Sequence, residues 1–286
     1  MTSTARRMFE LVEPIGVVPY SADEPNEAMF ALGFTNYWDT YFAGRAAPLG
    51  LVPAEVVDAL FYNFAPGEVA RHIPKVWRTT TPEAAIAARQ MGCVKALRRV
   101  LGDEVDAPAF ARAADLLLEA ATSAPFEGRP MYAALRSIPI PDEVVARLFH
   151  AASLLREHRG DGHIAALLLE GLTGLEALVT HAASGDVPAD VLRTSRAWSP
   201  EEWSTGVDAL RSRGVIAAGD AIEFTDLGAA MRQRMEDATD AASAPAYDVL
   251  GEDGCARLRE LGRPLSLQII ESGLLRTDPS RYIDDR

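Results

Sequence analysis

Seven consecutive residues, Glu157-His158-Arg159-Gly160-Asp161-Gly162-His163, carry the densest acid–base chemistry in the chain. Imidazoles exchange protons near neutral pH, and a neighbouring carboxylate can orient the ring. The same residue types also ligate divalent metals. The two glycines predict a loop, with a helix starting at His163 and Asp161 as its cap. A His-x4-His pair that begins in a loop does not put both rings on one helical face, so no metal is assigned. The catalytic candidates are therefore His158 and His163 as proton carriers, with Glu157 and Asp161 orienting them. The competing account is purely structural: a flexible loop and a capped helix start.

Two Gly-Arg pairs, Gly44-Arg45 and Gly128-Arg129, offer guanidinium forks suited to a small anion. The alternative is ion pairing of each arginine with Asp39, Glu127 or Glu157, because buried charges are usually paired. Tyr37, Trp38, Tyr41, Phe42, Phe61, Tyr62, Phe64 and Trp77 form an aromatic set with His72 nearby. Such a set is either plain core or the wall of an apolar pocket. The ligand-binding candidates are Trp38, Tyr41, Arg45, His72, Trp77 and Arg129. Dinucleotide and phosphate loops, nucleophile elbows and zincin or zinc-cysteine patterns are all missing from the sequence, so no cofactor is assigned.

The elements that must position these residues read as mainly α. Pro53, Thr81-Pro82 and Ser199-Pro200 mark helix starts. Two helices, 142–156 and 164–182, flank the expected loop. Gly-Arg, Glu-Val-Val, Leu-Phe and Ile-Ala-Ala recur in the same order in 27–105 and 107–183, which predicts duplicated helical repeats within 1–183. A ligand pocket is expected between them. Residues 184–250 change character: helix, helix, a short apolar pair about Gly219-Asp220, then a long helix capped at Thr225. That order predicts a winged helix-turn-helix unit with a small β-hairpin. Residues 251–286 complete the chain as a C-terminal helix and tail.

Charge limits the partners. The net charge is −13, and lysine occurs only at 75 and 95. Residues 181–250 hold six arginines and no lysine against twelve acidic residues. The second helix of the helix-turn-helix carries Glu201, Glu202 and Asp208 against Arg211 alone. Phosphate contacts supply much of the affinity for DNA, so this balance disfavours DNA as a partner. Cys93 and Cys255 match no redox or metal spacing, and a reduced, cytoplasmic setting is expected. The acidic residues and proline near the N-terminus break any signal-peptide core, and no apolar run reaches the roughly 20 residues of a membrane span.

The segments Tyr41-Phe-Ala-Gly-Arg-Ala-Ala-Pro-Leu-Gly50 and Glu157–His163 resemble a family of actinobacterial helix-turn-helix proteins described as MarR-like or SalK-like. The resemblance covers essentially the whole chain and implies the winged-helix architecture and an actinobacterial context, without supplying a substrate. Three functions are then expected in order. The first is binding of a small organic ligand between the repeats, with an accessory enzyme of specialised metabolism as its catalytic form. The second is a ligand-responsive MarR-like transcription regulator. The third is a structural partner protein that dimerises through its helix-turn-helix. A homodimer is expected in each.

Overall fold

The computed structural model describes residues 3–275. Prolines, capping side chains and glycines divide them into fifteen α-helices. In chain order these are α1 (Thr4–Gly16), α2 (Val18–Ser21), α3 (Asp23–Phe30), α4 (Tyr37–Ala46), α5 (Ala54–Phe61), α6 (Glu68–His72), α7 (Pro82–Leu101) and α8 (Pro108–Ser123). They continue with α9 (Pro130–Arg136), α10 (Val144–Leu169), α11 (Gly174–Ala183), α12 (Ala189–Ser195), α13 (Pro200–Ser212), α14 (Asp226–Ser243) and α15 (Gly251–Glu271). Gly33 at φ 104° and Asn36, which caps α4, separate α3 from α4.

Three apolar clusters hold these helices together. The central one joins α1, α7, α8, α10 and α15 through Met8, Leu97, Leu117, Leu148 and Ile269. The second is aromatic and gathers Phe42, Phe61 and Phe64 with Ile73 and Val76. The third lies in the helix-turn-helix lobe, where Leu178, Trp203, Val207, Leu210 and Met235 pack. The first and last helices meet directly: the Ser266 hydroxyl donates to the Leu11 carbonyl at 2.7 Å. A Cβ at Gly262 would stand 2.8 Å from a Leu11 methyl, so glycine permits this approach.

The expected loop at 157–163 is not a loop. It lies inside α10, one unbroken helix of 26 residues. The true break falls later, where Gly171 adopts φ 65° and Thr173 and Glu176 form a capping box on α11. Gly162 is small for packing rather than for flexibility. A Cβ there would be 2.9 Å from the Arg129 guanidinium and 3.1 Å from the Ala242 methyl on α14. Sequence reasoning took the glycine pair as a break because it weighed propensity and could not see this crossing.

The winged unit is also overturned. No β-strand occurs among the described residues; Ile216 and Phe224 form only one isolated antiparallel bridge. Arg211 explains part of this. Its guanidinium donates to the carbonyls of Ala217 and Gly219, acceptors within the would-be hairpin. The segment has no third strand beside it, and an isolated two-stranded hairpin is marginal. What remains is an all-helical helix-turn-helix: α12, the turn at 196–199, and α13 with its Ser199–Glu202 capping box.

The motifs matched between 27–105 and 107–183 occupy differently built elements. Gly44-Arg45 lies within α4, whereas Gly128 has φ 70° and Arg129 precedes α9. Glu55-Val56-Val57 opens the short α5, while Glu143 caps the long α10. No single helix among the described residues is long and apolar enough to cross a membrane.

Candidate functional site

Helix α4 projects Tyr41 and Arg45, one turn apart, toward α7 and α10. The Arg45 guanidinium donates to the Tyr41 hydroxyl at 3.1 Å and stands 3.6 Å from Glu157 on α10. It also lies 4.2 Å above the Phe61 ring, a cation–π contact. From α7, Arg89 donates to the Tyr20 hydroxyl at 2.8 Å and to the Gly44 carbonyl at 3.1 Å. From α10, Arg156 pairs with Glu13 at 3.0 Å and with Glu157 at 3.4 Å. The Tyr20 ring lies between these last two, 5.2 Å from the Arg89 and 5.5 Å from the Arg156 guanidinium carbon.

Two clefts meet at Arg45 and Arg89, each about 300 Å³ including space open to solvent. One runs along Tyr20, Tyr37, Met29 and Pro25. The other is walled by Met131, Leu135, Arg156 and Glu157. The field in this region is positive. Burial would raise the Tyr41 phenol, but Arg45, Arg196 and Arg156 hold it below its ordinary value. Burial would likewise raise Glu157, and Arg45, Arg156 and Arg89 together depress it.

The sequence candidates divide into separate groups. Tyr41, Arg45 and Glu157 come together at the arginine cleft. Trp38 packs edge-on against Tyr41 at 5.5 Å and against Phe64 at 6.2 Å. His72 stacks on Phe42 at 4.5 Å and shares a 2.7 Å hydrogen bond with Asp39, which also pairs with Lys75. Trp77 packs against the aromatic cluster, its indole nitrogen buried without a hydrogen-bond partner among the described residues. Arg129 lies elsewhere, donating to the carbonyls of His158 and Ala242.

The four residues proposed for catalysis do not converge. Asp161 accepts from the Tyr132 backbone amide at 3.0 Å, capping α9, and burial pushes it up to about 6. His158 stands edge-on to Tyr132 at 5.1 Å. Burial pushes it down to about 4, so it is neutral near pH 7. His163 faces α14, within 3.0 Å of the Thr239 hydroxyl, and burial lowers it to about 4 as well. No group of His, Cys, Asp and Glu fit to hold a metal occurs among the described residues.

Sequence reasoning missed Tyr20, Arg89 and Arg156. Arg156 adjoins Glu157 and was within reach of the motif, but the expected loop directed attention forward instead. Arg89 carries no local signal; only the packing of α7 on α3 and α4 brings it to Arg45.

The helix-turn-helix lobe joins the aromatic half through a seam at 62–65. The Trp198 indole donates to the Asn63 carbonyl at 2.9 Å, and Arg196 to the Asn63 side chain at 3.1 Å. The Ala65 amide donates to the Arg196 carbonyl at 2.9 Å, and the Tyr62 hydroxyl to the Leu172 carbonyl. The two positive-φ residues other than glycine among the described residues lie here, Tyr62 at 66° and Ala197 at 62°. Tyr62, with ψ −43° and a 2.8 Å bond from the Asn63 amide to the Phe61 carbonyl, is the centre of a γ-turn of the strained kind. The outer face of α13 exposes Glu201, Glu202 and Asp208, and Asp208 pairs with Arg211 at 3.3 Å.

No curated protein and no solved structure matches this chain. The sequence profile of a helix-turn-helix family matches residues 5–276, spanning the helical body, the lobe and α15 together. The chain belongs to that helix-turn-helix family.

Proposed function

We propose that this protein is a ligand-responsive regulator, in which the helical body binds a small organic molecule and the helix-turn-helix lobe contacts DNA. The supporting observation is the family match over residues 5–276, which takes body and lobe as one inherited unit. The seam at Tyr62 and Ala197 supports coupling between them, because strained backbone persists where its surroundings hold it and concentrates at switch regions. Arg45 touches Phe61, and Phe61 precedes Tyr62, so the cleft and the seam are in contact. The MarR-like and SalK-like character, the actinobacterial setting, a cytoplasmic location and a homodimer are the finer parts of this proposal. A two-fold dimer would place its two α13 helices about 34 Å apart to read successive major grooves.

The acidic face of α13 sets the form of the test. Exposed Glu201 and Asp208 oppose phosphate, so non-specific affinity is weak, and binding must come from a selected sequence at low salt. Rounds of selection on genomic DNA near 50 mM salt are expected to enrich a site bound at least about 10³-fold above random DNA. Glu201→Lys with Asp208→Lys is expected to raise affinity for random DNA and steepen its salt dependence. Failure to enrich any sequence, together with no response to the double substitution, would remove the DNA reading.

A second reading, the accessory enzyme, rests on the perturbed Asp161. His158 and Asp161 both contact Tyr132 while His163 faces Thr239 on α14, so the two imidazoles do not share a site, which gives this reading less support than the regulator.

A further inference from the structure

Three guanidinium groups converge on the clefts beside α4, and the chain supplies fewer carboxylates than are needed to match them. Arg45, Arg89 and Arg156 are opposed there by Glu13 and Glu157. A charge drawn out of water and left unpaired is destabilising. At the cleft one positive charge remains in excess. The Arg45 Nε is buried with no hydrogen-bond partner among the described residues. Both Arg89 donors and one of Arg45 go to neutral oxygens, those of Tyr20, Gly44 and Tyr41, while Arg156 is held by Glu13 and Glu157.

The geometry points to a binding site for a small organic monocarboxylate, its carboxylate between Arg45 and Arg89 and its apolar body along Tyr20, Met29 and Pro25. A single negative charge cancels the single excess, whereas a dianion would reverse it. A planar carboxylate matches a guanidinium fork. The ring, thioether and proline surfaces favour a flat or short apolar body over a polyhydroxylated one. Tyr41 held below its ordinary value agrees with a field that favours negative charge here.

This site gives the regulator reading its ligand class, and it rests on that reading only for its consequence. An anion at Arg45 competes with Phe61 and Glu157 for the guanidinium. Phe61 leads into the Tyr62 turn, so the ligand acts on the seam to the helix-turn-helix lobe.

The test is calorimetric titration of the full-length protein with benzoate and with acetate at constant ionic strength. Benzamide is the neutral isostere and sulfate the dianion. Benzoate is expected to bind, benzamide and sulfate to bind at least tenfold more weakly, and Arg89→Gln to weaken benzoate at least tenfold. Asn26→Asp, which places a carboxylate on the same cleft wall with little change in shape, is expected to weaken benzoate several-fold and settles the matter if Arg89→Gln does not fold. Equal binding of benzamide, undiminished binding by Asn26→Asp, or no heat with either carboxylate at millimolar concentrations would overturn the site. DNA takes no part in this measurement. Loss of the DNA reading leaves it standing, and absence of carboxylate binding beside intact DNA selection removes the site alone.

Discussion

Gly160 and Gly162 show how one residue type carries two meanings in the same helix. A Cβ at Gly160 meets nothing nearer than 3.8 Å, while one at Gly162 meets Arg129 at 2.9 Å. Alanine is favoured over glycine in a helix interior by about 1 kcal/mol. Gly160→Ala is therefore expected to stabilise by about 0.5–1 kcal/mol in urea unfolding. Gly162→Ala is expected to destabilise by about 1–2 kcal/mol, because overpacking outweighs propensity. Stabilisation by both would disprove the packing role of Gly162. The ionisable residues make a second residue-scale prediction. His150, His158 and His163 are each lowered from 6.5 to about 4 by burial. A group lowered on folding contributes fully above its unfolded value, and that contribution is lost as pH falls toward the folded one. Asp161, raised to about 6, works in the opposite sense and loses its contribution as pH rises through that value. Three histidines outweigh one aspartate, so the unfolding free energy is expected to fall between pH 6.5 and pH 4.5. His150→Leu is expected to flatten that slope. A slope that is zero or reversed in the parent protein would contradict the burial of these rings. The residue types at 157–163 were legible as unusual from sequence. Their roles were not, because partners such as Tyr132, Thr239 and Arg45 come from other helices.

At the scale of elements, capping chemistry was the most readable layer. Thr81, Ser199 and Thr225 cap the helices expected of them, and Glu202 completes a capping box with Ser199. Hydrophobic period was less informative for α10. Its buried set includes Glu157, His158, Arg159 and Asp161, so its apolar stripe is interrupted exactly where partners reach in from other helices. The hairpin failed for a related reason: Arg211, three residues before Gly214, claims carbonyls that a ladder would need. The turn between α12 and α13 gives a prediction at this scale. Ala197 is exposed and held at φ 62°, a conformation that costs an L-residue about 1–2 kcal/mol and glycine much less. Ala197→Gly is expected to stabilise by up to about 1 kcal/mol, measured by chemical denaturation. Destabilisation would show that the Ala197 side chain matters more than its backbone strain.

The whole molecule is closed by contacts between its ends. Helix α1 lies against α15, fastened by the Ser266 hydroxyl on the Leu11 carbonyl and by the glycine at 262 that lets the two approach. Both helices belong to the central cluster with α7, α8 and α10. The sequence shows a C-terminal helix within 251–286 but carries no register between segments about 250 residues apart. This closure bears on synthesis. A chain emerging from the ribosome presents Met8, Leu11, Val12 and Ile15 long before their cover exists. Native burial of that apolar face is thus among the last events, and contacts of such sequence separation are slow to form. Until those contacts form, the uncovered apolar face of α1 is prone to aggregation.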